Sequence, residues 1–515
     1  MKLIAEVLKI TAGGKRIAII SDETANSLGV HSSDRIKIIH GSQNIIALAN
    51  IAEHFPQNRI GFYEEISNAL GLKGDEMVTI DQAELPESIS NVRKKIRGKR
   101  LKEKEIKNIV RDVVERHLSD VEIAAFLTAL KIHGQSMSEN EALSRAMVKT
   151  GKILDFGKVP ILDKHSIGGI PGDKTSIIVV PIIAAAGFTI PKTSSRAVTS
   201  PAGTADRFET LCPVKLSISE IKKVVEKTNG CLVWGGALDL APADDLFIQV
   251  EYPLGIDPLL LPSILSKKKA IGATHIVIDI PTGRGAKIKD LAEAYTLASD
   301  FLELGKRLKM NIQCALTYGE QPIGRAVGPA LEAREALRTI MGNGPKDLIE
   351  KAITLAGMLF EMVGLKNGRQ KAKGILASGK AEKKLREIIN EQGGSPEIKP
   401  EEIVIGDKNA SINANKSGTV SWISNEGIAH IAKAAGAPKA KGAGVILRKK
   451  LGENVKKNDI LLEIFAERNS KLKTAFELAE TLQPIVLSKK IREQILLEKI
   501  PEKFTSDRPL FMIER

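Results

Sequence analysis

The chain has 515 residues, 43% apolar and 27% charged, with 76 Lys and Arg against 62 Asp and Glu for a formal charge of +14. This composition belongs to a globular protein with room for roughly three or four domains, and it excludes a disordered or fibrous chain. Aromatics at 4% leave few stacking platforms for single-stranded nucleic acid, and three scattered cysteines give neither a disulfide framework nor a Cys-x-x-Cys motif.

The start, Met1-Lys2-Leu3-Ile4-Ala5-Glu6, meets charge too early for a secretory signal, so a reducing cytoplasm is expected. The longest apolar run, Ile177 to Ala186, contains Pro181 and is too short to span a bilayer, so no membrane partner is expected. The first eighty-odd residues hold an internal repeat: Glu23 to Ile38 matches Glu65 to Ile80. Each copy reads as a short helix, a Leu-Gly stop, a turn and a strand, which predicts a small double-psi-like barrel with pseudo-twofold symmetry over residues 1–84. It carries no chemistry, and a role in assembly is expected.

Residues 85–156 read as a helical lobe that can include later helices. Its basic run Arg93 to Lys102 is read as a solvated linker and helix face, so no nucleic-acid partner is expected. Ser119-Asp120-Val121-Glu122 is a helix-capping signal, and Ser138-Glu139-Asn140-Glu141 reads as a second. From residue 157 to 395 strands and helices alternate. Cys231 to Trp234 and His275 to Ile280 are expected as buried strands, and Ser219 to Lys227 and Leu291 to Arg307 as helices. The class is therefore α/β with a mostly parallel central sheet. Residues 396–515 form a small β-rich α+β appendage.

The stretch Lys164-His165-Ser166-Ile167-Gly168-Gly169-Ile170-Pro171-Gly172-Asp173-Lys174-Thr175-Ser176 has the look of a phosphate loop. A nucleoside-triphosphate cradle fails on spacing, because Asp173 separates Gly172 from Lys174 and puts a carboxylate where a polyphosphate would lie. The apolar run behind it predicts a buried helix ending at Gly187, whose start offers free N–H donors and a positive dipole end. One phosphate held with help from Lys164, Ser166 and Ser176 fits this pattern, and so does a structural glycine turn.

Further motifs follow in order: Ser194-Ser195-Arg196 with Ala202-Gly203-Thr204, Leu238 to Asp244, Ser263-Ile264-Leu265-Ser266-Lys267-Lys268, Gln321 to Gly324, Ala330-Leu331-Glu332, and Gly442-Ala443-Gly444 with Lys456 to Asp459. From about Ser119 to about Glu467 this series resembles the thymidine/pyrimidine-nucleoside phosphorylases. The additional N-terminal barrel and the variant Ser195-Arg196-Ala197-Val198-Thr199-Ser200 resemble the subgroup of archaeal AMP phosphorylases. That resemblance implies phosphorolysis of nucleoside 5′-monophosphates (AMP, with CMP and UMP as further candidates) to a free base and ribose 1,5-bisphosphate. The alternative is a thymidine or pyrimidine nucleoside phosphorylase. Against it, Val250 stands where pyrimidine enzymes carry a base-reading arginine.

The resemblance assigns inorganic phosphate to Lys164, Ser166, Ser176, Ser194 and Thr204, and the nucleotide to Gly169 and to Ser195, Arg196, Ala197, Val198, Thr199 and Ser200. Arg196, Thr199 and Ser200 suit a 5′-phosphate. His165, near sugar and base, and Asp257, as proton donor to the leaving base, are the expected catalytic residues. The acid role calls for an apolar wall, for which Leu254, Ile256 and Leu259 to Leu261 are candidates. Asp257 also stands where an N-cap would precede a helix opened by Pro258. Ser263 is expected on the base side, with Lys267 four residues on along the same helix face. Lys287, after Thr282-Gly283-Arg284-Gly285-Ala286, is expected at a sheet edge facing a crevice. No metal or organic cofactor is expected; Asp239, Asp244 and Asp245 are read as ordering loops, and phosphate is a substrate. The partners are then a nucleotide, phosphate and further copies of the chain, as a homodimer or larger homo-oligomer.

Overall fold

The computed structural model describes residues 1–197 and 200–488. The N-terminal strands β1 (Lys2–Val7), β2 (Ile17–Ile20), β3 (Arg35–His40), β4 (Gln43–Ile51), β5 (Arg59–Phe62) and β6 (Met77–Gln82) close into a barrel in the order β1-β5-β2-β4-β3-β6. The repeat is visible in it. Helices α1 (Asp22–Leu28) and α2 (Glu64–Leu70) end on Gly29 and Gly71, both left-handed with φ of 65° and 66°, where a glycine adopts the backbone without a Cβ penalty. Ile38 of β3 pairs across the antiparallel ladder with Ile80 of β6, its own repeat mate. The twofold relation of the two halves therefore passes between those strands.

Four helices follow: α3 (Glu87–Ile96), α4 (Glu103–Val114), α5 (Asp120–His133) and α6 (Met137–Lys149). Ser119 and Glu122 form the expected capping box on α5. The second box is Ser136 with Glu139, not the expected Ser138 with Glu141. Both pairs have the required spacing, but Glu139 also reaches the ammonium of buried Lys95 at 2.8 Å and the backbone N–H of Leu101 at 3.0 Å. That buried pairing selects the earlier start. Lys95 is thus a buried exception within a basic run whose flanking residues Arg97 to Arg100 are exposed.

The central strands β7 (Leu162–Ser166), β8 (Ile190–Ser194), β9 (Gly230–Trp234), β10 (His275–Thr282) and β11 (Asn311–Tyr318) are all parallel to their neighbours. Sheets β11-β10-β7 and β8-β9 meet through the parallel bridge between Ile161 and Thr189. Alternation sorts the side chains between two layers. Val277 and Leu232 enter the core under α7 (Thr175–Ala185), α13 (Pro329–Ile340), α14 (Lys346–Met362), α15 (Gly368–Ala377) and α16 (Lys380–Glu391). Ile276, Ile278, Cys231 and Val233 enter the opposite core, under α9 (Ile218–Thr228), α11 (Leu260–Ala270) and α12 (Leu291–Arg307). The short α8 (Thr204–Phe208) follows β8. Helix α10 (Pro242–Leu254) packs instead into the helical lobe, where Ala243, Phe247 and Leu259 share a core with Phe126 and Leu127.

The C-terminal unit has β12 (Ala326–Val327), β13 (Lys408–Asn413), β15 (Gly444–Leu447) and β17 (Ile460–Ala466) in one sheet. A second holds β14 (Gly418–Ile423), β16 (Asn454–Val455) and β18 (Ile485–Ser488), with α17 (Asn425–Ala434) and α18 (Asn469–Leu482) alongside. Among the described residues no helix is long and apolar enough to cross a membrane.

Candidate active site at the carboxyl ends of the parallel strands

Parallel strands deliver their following loops to one edge, and in open α/β sheets that edge holds the ligand. Here Ser166 ends β7, Ser194 ends β8, Trp234 ends β9 and Thr282 ends β10, so the stretches singled out in the sequence emerge together.

The glycine loop after β7 turns through Gly168, Gly169 and Gly172, all with positive φ. Two of these glycines are needed for close approach. A Cβ on Gly172 would lie 2.5 Å from the Ile323 carbonyl oxygen, and one on Gly169 would lie 2.6 Å from the Lys287 backbone nitrogen. The Gln321 to Gly324 motif is therefore the wall behind the loop. Lys174 is structural: fully buried, it donates to the carbonyls of Ile323 and Ala326 and pairs with Glu335 at 2.6 Å. Asp173 accepts from Thr175 at the start of α7 and lies 3.5 Å from Lys164.

Lys164, 2% exposed, lies 3.5 Å from Asp173 and 3.7 Å from Asp279, and Lys351 reaches the same two carboxylates at 3.7 and 2.8 Å. Ser176 is buried in the first turn of α7, and Ser166 accepts from the Gly168 N–H at 3.4 Å. Ser194 donates to the Val233 carbonyl at 3.3 Å. Thr204 opens α8 and accepts from Arg207, which also donates to the carbonyls of Asp173 and Ala202 and pairs with Glu332. Arg207 thus ties the glycine loop to the Ser195–Thr204 loop. The sequence reading missed it; its one visible signal was an arginine in an otherwise buried short helix.

The Ser195–Thr204 loop is cinched at its base. Asp206 accepts the N–H groups of Ala197 (2.7 Å) and Gly203 (3.0 Å), and a Cβ on Gly203 would lie 2.6 Å from backbone atoms of Ser195 to Ala197. Arg196 is gripped by Glu209 (2.7 Å) and Asp206 (3.2 Å) and lies 4.9 Å over the Trp234 ring. Lys441 from the C-terminal unit reaches Glu209 at 2.7 Å. The Arg196 hydrogen bonds pull Glu209 down to about 2, against the opposing effect of burial and with help from Lys441. Ser195 is exposed, and Ser200 donates to the Ala202 carbonyl at 3.1 Å. Val198 and Thr199 lie outside the described residues.

Facing the glycine loop, Lys287 donates to Asp257 at 3.1 Å, both side chains being about half exposed (45% and 46%). Two expectations for Asp257 are corrected here. The expected wall is drawn elsewhere: Leu254 is exposed, Leu259 is buried in the lobe core with Ile256 packed against it, and Leu260 and Leu261 pack against the core under α9, α11 and α12. Nor is Asp257 a helix cap, because α11 starts at Leu260 without a side-chain cap, and the Pro258 carbonyl is taken by Gln135 of the lobe at 2.7 Å. Ser263 and Lys267 do share a face of α11, but both are held by α10. Ser263 donates to Asp244 at 2.9 Å, and Lys267 pairs with Asp244 at 2.7 Å and Asp245 at 2.9 Å. Asp244 and Asp245 therefore order Ser263 and Lys267.

Beneath this edge lies a charge network that the sequence reading did not assemble. Fully buried Asp163 is 2.6 Å from Lys268 and 3.4 Å from Lys192. Burial, with Lys268 and Lys164 nearby, outweighs Asp163 and leaves Lys192 at about 7. Burial and the cations Lys268, Lys192, Lys164 and Lys287 hold His165 well below the usual histidine range. His165 is thus a neutral imidazole at neutral pH, fit to hydrogen-bond but not to act as an imidazolium acid. Lys164 on β7, Lys192 on β8 and Lys268 on α11 thus lie beneath this edge in a network shared with the carboxylates of Asp163, Asp173 and Asp279.

Comparison with known proteins extends this picture. The family model of the "Glycosyl transferase family, a/b domain" matches residues 158–382, that of the "Glycosyl transferase family, helical bundle domain" residues 90–151, and that of the "Pyrimidine nucleoside phosphorylase C-terminal domain" residues 419–486. In fold, the chain is similar to anthranilate phosphoribosyltransferase from Thermus thermophilus, at a TM-score of 0.50 and 23% identity over 58% of this chain and 98% of that one. Among curated relatives, AMP phosphorylase of Pyrococcus furiosus is 52% identical, covering 93% of this chain and 96% of its own length. The enzyme of the same name from Thermofilum pendens is 49% identical over 97% and 98%, and that from Methanosarcina barkeri 46% over 97% and 99%. With half its residues shared from end to end, the chain belongs to the AMP phosphorylase family.

Proposed function

We infer that the protein cleaves nucleoside 5′-monophosphates with inorganic phosphate, releasing the base and ribose 1,5-bisphosphate. What carries the reading is one sheet edge that combines an anion-ready helix start with an arginine-bearing loop, in a chain whose full-length relatives are named AMP phosphorylases. In the proposed arrangement Lys164 and the hydroxyls of Ser166, Ser176, Ser194 and Thr204 hold the phosphate nucleophile against the start of α7. Gly169 lets the nucleotide approach bare backbone, Ser195 lines it, and Arg196 with Thr199 and Ser200 reads the 5′-phosphate. Asp257 protonates the base, with Ser263, Lys267 and Lys287 on the base side. An oxocarbenium-like transition state is then flanked by an anion on one face and a protonated leaving group on the other. The reaction as read uses no metal or organic cofactor.

The pyrimidine-nucleoside alternative is less well supported, because Val250 packs against the apolar core of the helical lobe and offers nothing to a pyrimidine carbonyl. The decisive measurement is phosphate-dependent base release from AMP, adenosine and thymidine side by side. AMP is expected to be preferred, with no release when phosphate is omitted. Preference for thymidine would replace this reading with the alternative, and release without phosphate would sink both. Comparing CMP and UMP in the same assay sets the base range.

We also read the enzyme as a cytoplasmic homo-oligomer, its N-terminal unit being a double-psi-like barrel that serves association. The barrel has its own core, and polar contacts cross to the lobe, Arg35 to the His117 carbonyl at 2.9 Å and Lys15 to Asp120 at 2.6 Å among them. Removing residues 1–81 should therefore lower the subunit count with little change in turnover per assembled site. Light scattering that returned the full native mass for the truncated protein would remove that role.

A further inference from the structure

Glu251 lies in the last turn of α10, six positions before Asp257, and is only 6% exposed. Its main-chain carbonyl accepts the N–H groups of Gly255 and Ile256, so the turn that carries Asp257 folds back onto it. Its side-chain Oε1 is buried and meets no hydrogen-bond donor among the described residues.

The carboxyl groups around it outnumber the ammonium groups, and a proton on Glu251 lessens that excess. Four carboxyl groups (Asp244, Asp245, Glu251 and Asp257) stand with two ammonium groups, Lys267 and Lys287. Asp244 and Asp245 are committed to Lys267, and Asp257 accepts from Lys287. On the lobe side Gln135, which holds the Pro258 carbonyl, is uncharged. Glu251 is left as the carboxyl without a cation of its own. Burial first, then the anions of Asp257 and Asp244, push it up to about 8, with the Leu259 N–H and Lys287 opposing. A buried carboxyl kept neutral at physiological pH is a form enzymes use to hold a transferable proton.

Asp257, read above as the donor to the base, is half exposed and hydrogen-bonded as an acceptor to Lys287. In that arrangement it has to receive a proton before it can give one. We propose that Glu251 is the proton store of the reaction, passing its proton to Asp257, which then protonates the departing base. Glu251 first gives its proton to Asp257; as the C1′–N bond breaks, its electron pair goes to the base nitrogen, which takes that proton from Asp257. A phosphate oxygen forms the new bond to C1′, and Asp257 is left a carboxylate again. Glu251 is left ionised and regains a proton from water after product release, so no further reactant is required. The proposal rests on Asp257 being the donor.

The test is the pH dependence of kcat and KM for AMP with full-length wild type, E251Q, E251D and D257N. The protonated store is present below its pKa and lost above it, so wild-type kcat is expected to fall as pH rises through about 8. E251Q should lower kcat about tenfold at neutral pH, remove that basic limb and leave KM within about twofold, the pattern of a lost transition-state proton. E251D, which can still hold a proton, should restore the limb even if packing defects lower its thermal stability. E251Q with wild-type kcat and an intact basic limb would overturn the store, since an isosteric amide preserves a purely structural role. D257N separates the two assignments: collapse in D257N with wild-type behaviour in E251Q leaves the donor and removes the store. Full activity in D257N removes the donor and the relay with it.

Discussion

Asp257→Asn is expected to lower kcat for AMP by about 10²–10⁴ while changing KM only a few-fold. Adenine leaves poorly as an anion, so a proton has to reach it as the glycosidic bond breaks. The substitution is a clean one for local reasons. Asp257 caps no helix, because α11 begins at Leu260 without a side-chain cap. Asparagine retains a carbonyl oxygen that can still accept from Lys287, so the contact between the α10 turn and the β10 loop survives. What disappears is the capacity to pass on a proton. The loss should therefore shrink for a nucleotide whose base departs without protonation, and steady-state kinetics on such a substrate beside AMP check the point. AMP turnover within a few-fold of wild type would leave Asp257 a mere partner of Lys287. Neutral His165 would be an unsuitable replacement, given the cations that surround it.

The parts of the fold that could be read in advance are those specified by residues close together in sequence. The Leu-Gly stops at Gly29 and Gly71 mark the repeat because a left-handed helix end needs glycine, whatever lies elsewhere. Leu291 to Arg307 is helical between the expected limits because its apolar period, its Asp290 cap and its basic last turn agree. At the site, the glycine loop and the strand-end serines were legible for the same reason. The missed features depend on partners far along the chain. Lys95 looks like one more solvated lysine until Glu139, forty-four residues on, is found beside it, and the same buried carboxylate decides which serine caps α6. Lys192 and Lys268 stand seventy-six positions apart and meet at Asp163 and at the Thr193 carbonyl. For Asp257 the local apolar residues suggested a wall, yet Ile256 and Leu259 serve the lobe core, Leu260 and Leu261 pack against the core under α9, α11 and α12, and Leu254 is exposed. Sequence proximity was a sound guide to which residues approach the site, and a poor one to which way each side chain is drawn.

Arg196→Ala is expected to raise KM for AMP by roughly ten- to a hundredfold and to narrow the advantage of AMP over adenosine. The estimate follows from losing a charged hydrogen bond worth about 1.5–3 kcal/mol. A 5′-phosphate at this loop has to share the guanidinium with carboxylates that already hold it. Glu209 uses Nη1 and Nη2, Asp206 shares Nη1, and Trp234 lies beneath the plane. Arginine has five N–H donors in a planar fork, so two carboxylates do not exhaust it, and their grip fixes its direction before the ligand arrives. That fixing is an advantage, since a preorganised cation loses little side-chain freedom on binding. The clamp also persists across working pH. Glu209, depressed to about 2, stays ionised, and what it contributes is present above the ordinary glutamate range and lost only as pH falls toward that value. The loop itself should outlast the substitution, because Asp206 still accepts from Ala197 and Gly203 at its base. The KM change then reports the phosphate contact and not a collapsed loop. Arg196→Lys, which keeps a charge but not the fork, should fall between wild type and alanine. Kinetics on AMP and adenosine for the three proteins decide the matter: an unchanged ratio of kcat/KM between the two substrates would mean that Arg196 only braces Glu209 and Asp206, and that the 5′-phosphate is read elsewhere.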